Sequence, residues 1–246
     1  MTTKDDSLIV VPGQEAQEAQ KAIADEAFDF GELSDSTQMN VFALDVSGSM
    51  QAGVDPENRR GGMQKIELLK KALERYINHR FEKHPDSRVG LVAFESYIHV
   101  LIEVTDNVEE LLAEARGLTA GGGTAMHKGL QRAISMLAKN KGTHIPRIIL
   151  ISDGAPDSPE AVADVLSQHR DKRVIVDCIY IGATSEWDAT YVDFMKKIAD
   201  MTGGIFEQIT SEKEFETKFL QVANRPLLGA GTPPDETEKE SGPICL

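Results

Sequence analysis

The sequence predicts a doubly wound α/β domain, a mostly parallel six-stranded sheet flanked by about six helices. Two observations carry that prediction. Short apolar runs alternate with amphipathic stretches through the middle of the chain, the pattern of strands that are each followed by a helix covering the sheet. Three short segments rich in hydroxyl and carboxylate side chains stand just after an apolar run or at the start of a helix, where an open α/β sheet receives its ligands. The composition agrees. A chain of 246 residues, 41% hydrophobic and 27% charged, suits one α/β domain with extensions, or two small domains.

Residues 40–44 are short and apolar and close on Asp45, so they read as the first strand. Residues 66–81 carry Ile66, Leu69, Leu73 and Ile77 at helical spacing. Residues 89–94 (VGLVAF) form a buried-strand run, whereas residues 97–104 alternate, as expected of an edge strand paired antiparallel to it. Residues 108–115 predict a short helix, and residues 125–138 a longer one with Leu130, Ala133, Ile134 and Leu137 on one face. The IILI run at 148–151 is a strand closed by Ser152-Asp153-Gly154. Pro159 opens a helix at the first-turn position that proline prefers, running to about residue 168. A strand over 174–181, a helix over 191–201, a short strand over 205–208 and a helix over 213–223 complete the alternation. No internal repeat is evident.

Charge locates the boundaries. Forty acids against twenty-six bases give a net −14, which argues against a phosphate-tracking nucleic-acid binder and against docking on an anionic membrane. The excess is concentrated at the ends. Residues 1–38 hold nine acids and two lysines, and residues 226–246 hold four acids and one lysine. The division expected is an acidic N-terminal arm over 1–38, partly helical or disordered, a domain over 39–225, and a disordered, acidic, proline-rich tail over 226–246. Within the arm, Ala16, Ala19, Ile23 and Ala27 trace a thin apolar stripe on a helix over 14–28. Two cysteines cannot build a disulfide framework, and Cys245, second from last, is misplaced for a prenylation box. Neither a signal peptide nor an apolar run of roughly 18 residues is visible, so the expected location is cytoplasmic.

The chemistry lies in the three segments. In Asp45-Val46-Ser47-Gly48-Ser49, an extended chain would project one carboxylate and two hydroxyls to the same side. Gly121-Gly122-Gly123-Thr124 delivers a hydroxyl at a helix start, and Asp153 ends the IILI strand. Two carboxylates and three hydroxyls, with no His or Cys, suit Mg²⁺, Mn²⁺ or Ca²⁺ rather than zinc. Taken singly, each segment also reads as a cap or turn. If the strands ending in Asp45 and Asp153 are neighbours, all three meet in one crevice.

Asp45-x-Ser47-x-Ser49, then Thr124 after a glycine run, then Asp153 in Ser-Asp-Gly resembles the von Willebrand factor A domain and its metal-ion-dependent adhesion site. Phe94-Glu95-Ser96 followed by an alternating strand and Val104-Thr105 resembles it too. The resemblance implies strand order 3-2-1-4-5-6 with one antiparallel edge strand. It also implies a metal held by Asp45, Ser47, Ser49, Thr124 and Asp153, and a partner protein whose Glu or Asp completes the coordination. Stand-alone intracellular members of the family are often adaptors for AAA+ ATPases or parts of stress and tellurite-resistance systems.

The rival reading is a Mg²⁺-dependent phosphoryl-transfer or hydrolytic enzyme with Asp45 as nucleophile. Such enzymes want a second carboxylate two residues on, where Ser47 stands. The glycine run also fails as a phosphate loop, since Gly129 is followed by Leu130 rather than by Lys and a hydroxyl residue. Cys178, inside an apolar run, reads as a small buried hydrophobe. The six histidines show no ligand spacing, and Trp187 reads as a loop anchor. The long segment from Gln51 to Gln64 borders the expected metal and is expected to shape specificity.

Overall fold

The computed structural model describes residues 38–54, 62–140, 145–169, 174–182 and 189–225. In chain order the elements are β1 (Gln38–Asp45), α1 (Lys65–Lys83), β2 (Arg88–Phe94), β3 (Ile98–Thr105), α2 (Val108–Gly117), α3 (Met126–Lys139), β4 (Ile145–Ser152), α4 (Pro159–Gln168), β5 (Ile175–Ile181), α5 (Ala189–Thr202), β6 (Phe206–Ile209) and α6 (Glu212–Ala223). The strands form one six-stranded sheet in the order β3-β2-β1-β4-β5-β6. All neighbours are parallel except β2 and β3, which pair antiparallel at the edge. This is the doubly wound sheet that the alternation of runs predicted. The expected arm helix over 14–28, the middle of the segment between Gln51 and Gln64, Trp187 and the tail over 226–246 lie outside the described residues.

Strand alternation feeds two cores, because successive side chains face opposite sides of a sheet. On β1, Phe42 and Leu44 face α1, α2 and α6 and pack with Leu69, Leu73, Leu111 and Phe219. Val41 and Ala43 face α3, α4 and α5 and join Leu130, Ile134, Val162 and Ile198. Each fully buried apolar side chain of this kind contributes about 1.5–3 kcal/mol. Because both faces of β1, β4 and β5 are covered, these strands read as continuous apolar runs rather than alternating ones. Edge strand β3 alternates, and its first residues are exposed.

Local signals set the helix starts. The Asn107 side chain accepts from the Glu110 N–H at 3.3 Å, Ser158 caps α4 ahead of Pro159, and Ser211 and Glu214 form a reciprocal capping box at α6. At the N-terminal ends of the strands a buried charged network ties the last helix to the sheet. Arg147 of β4 and Asp177 of β5 are both fully buried, and Arg147 Nε donates to Asp177 Oδ2 at 2.6 Å. Arg147 also donates to the carbonyls of Val222 and Ala223 at the end of α6. Arg225 donates to the other Asp177 oxygen at 2.9 Å. Cys178 is buried, and burial pushes its thiol well up from the ordinary range. Among the described residues no helix is long and apolar enough to cross a membrane.

Candidate metal centre

Strand order reverses between β1 and β4, so the crevice at their C-terminal ends is the topological switch point of the sheet. The register pairs Leu44 with Ile151, which sets Asp45 across from Ser152 and next to Asp153. Asp45 is fully buried. Its Oδ1 accepts from the Ser47 backbone N–H at 2.8 Å, and its Oδ2 accepts from the Ser152 hydroxyl at 2.5 Å.

From Ser47 onward the chain departs from the extended path expected of it. Ser47 is extended, but residues Gly48–Gln51 form one turn of 3₁₀ helix. The hydroxyls of Ser47 and Ser49 nevertheless lie 3.0 Å apart, and Ser49 donates to Asp153 Oδ1 at 2.6 Å. The turn thus does what an extended strand was expected to do. A hydrogen-bonded chain runs from one acid to the other through both serines.

The glycine loop before Thr124 is tied by its backbone to the Asp45–Ser49 segment. Gly121 N–H donates to Val46 O at 2.7 Å, and Gly48 N–H donates to Gly122 O at 3.1 Å. Thr124 itself is half-buried. Its N–H donates to Asp157 Oδ1 at 3.1 Å, and its carbonyl accepts from the Asp157 N–H at 3.0 Å. Gly122 has φ +78°, and a Cβ there would stand 1.9 Å from Glu95 Oε2. The left-handed backbone favours glycine, and a Cβ would also push the Glu95 carboxylate aside. Gly122→Ala is therefore expected to displace the loop and Thr124 with it, weakening Mn²⁺ affinity about tenfold while leaving far-UV circular dichroism unchanged. Calorimetric titration checks this, and unchanged affinity would detach the loop from the site. Beside the loop a cleft of about 330 Å³ opens, with Val46, Ala93, Leu101 and Leu118 among its walls and Glu95 and His99 at its rim.

The electrostatics favour an added cation. Burial, reinforced by the nearby charge of Asp153, pushes the Asp45 carboxyl up to about 6, although bonds from Ser152 and Ser47 pull the other way. Sequence reasoning missed two contributors. Lys65, the first residue of α1, places its Nζ 2.7 Å from Asp153 Oδ2, and Ser152 holds Asp45. One ammonium against two acids leaves the crevice with excess negative charge in a poorly hydrated place. A divalent ion would remove that excess. Among the described residues no group of three or more His, Cys, Asp or Glu side chains gathers anywhere. What the crevice offers is the carboxylates of Asp45 and Asp153 with the hydroxyls of Ser47 and Ser49, donors that would suit a hard ion keeping part of its water shell.

Comparison with known proteins agrees with the fold. Residues 40–155 match the family model of the von Willebrand factor type A domain. The chain is 27% identical over 209 residues to inter-alpha-trypsin inhibitor heavy chain H4 of Bos taurus, covering 76% of this chain and 20% of that protein. It is 25% identical over 166 residues to calcium-activated chloride channel regulator 1 of Homo sapiens, covering 66% of this chain and 16% of that one. It thus spans about a fifth or less of the length of these curated relatives. The solved structure of a von Willebrand factor type A protein from Catenulispora acidiphila superposes with a TM-score of 0.63 at 21% identity, covering 78% of this chain and 43% of that one.

Proposed function

We propose, from the von Willebrand factor type A domain carried by residues 40–155, that the chain is a divalent-metal-dependent protein-interaction module. In this reading Asp45, Ser47, Ser49, Thr124 and Asp153 hold Mg²⁺, or Mn²⁺ or Ca²⁺, and a partner protein presents a Glu or Asp side chain. The observation that supports it best is the pair of acids on neighbouring strand ends, joined through Ser47 and Ser49 with a single ammonium beside them. When bound, the ion supplies a hard cationic centre with places left for an outside oxygen. The residues of the chain do the rest. Ser152 and the Ser47 N–H aim Asp45, Ser49 aims Asp153, and in this reading Thr124 would join them from the glycine loop tied to Val46 and Gly48.

The enzymatic alternative fares worse. A phosphoryl-accepting Asp45 would need an acid–base carboxylate close by. The position two residues on is a serine, which does no acid–base work near neutral pH. Neither nucleic acid nor a membrane is a partner in this reading. The setting proposed is cytoplasmic, as an adaptor for an AAA+ ATPase or within a stress-response system.

Affinity capture with Mg²⁺ and again with EDTA tests the reading. The partner is expected to be retained in Mg²⁺, lost in EDTA and little affected by moderate salt, since a direct metal–carboxylate bond is screened less than surface ion pairs. Thr124→Ala removes one neutral ligand, so it should reduce capture while leaving measurable Mn²⁺ binding in calorimetry. A partner held equally in EDTA would leave a metal-independent interaction domain.

A further inference from the structure

Lys65 stands inside the proposed centre without belonging to its ligand set. Its Nζ lies 2.7 Å from Asp153 Oδ2, while Oδ1 of the same carboxylate accepts from Ser49. Lys65 is 9% exposed, and the Asp153 side chain is fully buried. The backbone under Lys65 is pinned as well. Its N–H donates to Ala52 O at 2.9 Å, and Gln64 forms a β-bridge with Gly53. This ammonium is built into the crevice. It is not a surface lysine that happens to reach an acid, and a long side chain loses considerable rotamer freedom to be held this way.

We infer that Lys65 is a specificity-determining residue of this centre, which sets its charge so that the metal-loaded form takes up one carboxylate. The inference rests on the metal-binding reading proposed above. Two carboxylates neutralise a divalent ion by themselves. A partner's acid would then add an uncompensated negative charge in a largely buried place, which is costly. Counting the buried groups Asp45, Asp153 and Lys65, the loaded centre carries one net positive charge, and a single partner carboxylate brings it to neutrality; Asp157, beside Thr124, is exposed and screened by solvent. The same ammonium repels the incoming ion and occupies one oxygen of Asp153, so it weakens metal binding in the partner's absence. Metal and acid are thereby coupled. Each raises the affinity of the other by the same factor, as linkage requires. The centre selects an acidic partner and also loads more completely when that partner is present.

The test is Mn²⁺ titration calorimetry on the full chain at pH 8, with sodium acetate replacing sodium chloride at equal ionic strength as the carboxylate probe. Lys65→Met is expected to bind Mn²⁺ about tenfold more tightly than the unsubstituted chain, and to lose the tightening that acetate gives it. Lys65→Arg keeps the charge and is expected to keep both the unsubstituted affinity and the acetate response. Lys65→Gln serves beside Lys65→Met, with the thermal midpoint in EDTA showing that each variant is folded. Folded Lys65→Met and Lys65→Gln chains that bind Mn²⁺ with unchanged or weaker affinity would overturn the inference and make Lys65 a purely structural partner of Asp153. Absence of Mn²⁺ binding by the unsubstituted chain would remove the metal reading itself, and this inference with it. The two failures are therefore distinguishable.

Discussion

On the metal-binding reading proposed above, Asp45→Asn should weaken metal binding severely and, in the same chain, raise the melting temperature of the metal-free protein. The two effects share one cause. The carboxylate of Asp45 is buried beside another acid, an arrangement that is useful to a divalent ion and costly without one. Its carboxyl stands at about 6 against an ordinary 3.8. Below pH 3.8 it is protonated in both the folded and the unfolded chain. Between 3.8 and 6 the folded chain holds more protons than the unfolded one, so the Asp45 contribution to stability falls as pH rises through that window. Above pH 6 the full cost is present.

A neutral asparagine removes most of this cost, a gain of about 1–3 kcal/mol at pH 7.5, or several degrees in melting temperature for a domain of this size. Removing one of two carboxylates should weaken Mn²⁺ binding by about a hundredfold or more. Differential scanning calorimetry in EDTA and Mn²⁺ titration read the two effects separately. A melting temperature lowered by the substitution would show that Asp45 is a structural acid, and retained metal affinity would remove it from the site.

Asp177→Ala is expected to have the largest effect on stability. It removes the carboxylate that pairs with the buried Arg147 between β4 and the end of α6 and that also accepts from Arg225 and the Ile205 N–H. Breaking a buried pair from one side costs about 3–5 kcal/mol, which lowers the melting temperature by roughly ten degrees. Replacing both partners, Arg147→Met with Asp177→Leu, should recover a substantial part of the loss, because no fully buried charge is then stranded, Arg225 being partly exposed. Because the network lies at the opposite ends of the strands from Asp45, Mn²⁺ affinity of the folded Asp177→Ala chain should be unchanged. A melting temperature within two degrees of the unsubstituted protein would show that water reaches Arg147.

The sheet was legible in the sequence because burial on both faces writes itself as unbroken apolar runs. The runs at 89–94 and 148–151 fall within β2 and β4, and the alternation of 97–104 marked the antiparallel edge. Boundaries were less legible. The last strand was expected at 205–208 but runs Phe206–Ile209, and the last helix begins at Glu212 rather than 213. The Ser211-x-x-Glu214 capping box was present in the sequence and would have fixed that second boundary.

The five candidate ligands stand in short motifs at strand and helix ends, and the structure links four of them, Asp45, Ser47, Ser49 and Asp153, by hydrogen bonds. Lys65 was not legible in the sequence, because a lysine at a helix start looks like any solvated charge. Its contact exists only once the fold brings the start of α1 to Asp153. Ser152 escaped for a similar reason, since its value depends on the register that sets it across from Asp45. The 3₁₀ turn at Gly48–Gln51 was missed as well, though the serine hydroxyls meet all the same.

The clamp on the last helix has a consequence for how the domain can be carried. β1 starts at Gln38 on the same side of the sheet where Arg147 grips the carbonyls of Val222, Ala223 and Arg225. The polypeptide therefore enters and leaves at one pole, and the acids and their loops occupy the other. Flanking sequence of any bulk could be joined at Gln38 and Arg225 without crossing the opposite pole. Tension drawn through the two junctions would bear first on β1 and on the seam between α6 and the sheet. The crevice between the two acids would stand outside the path of the load, like a reading head held away from its mount.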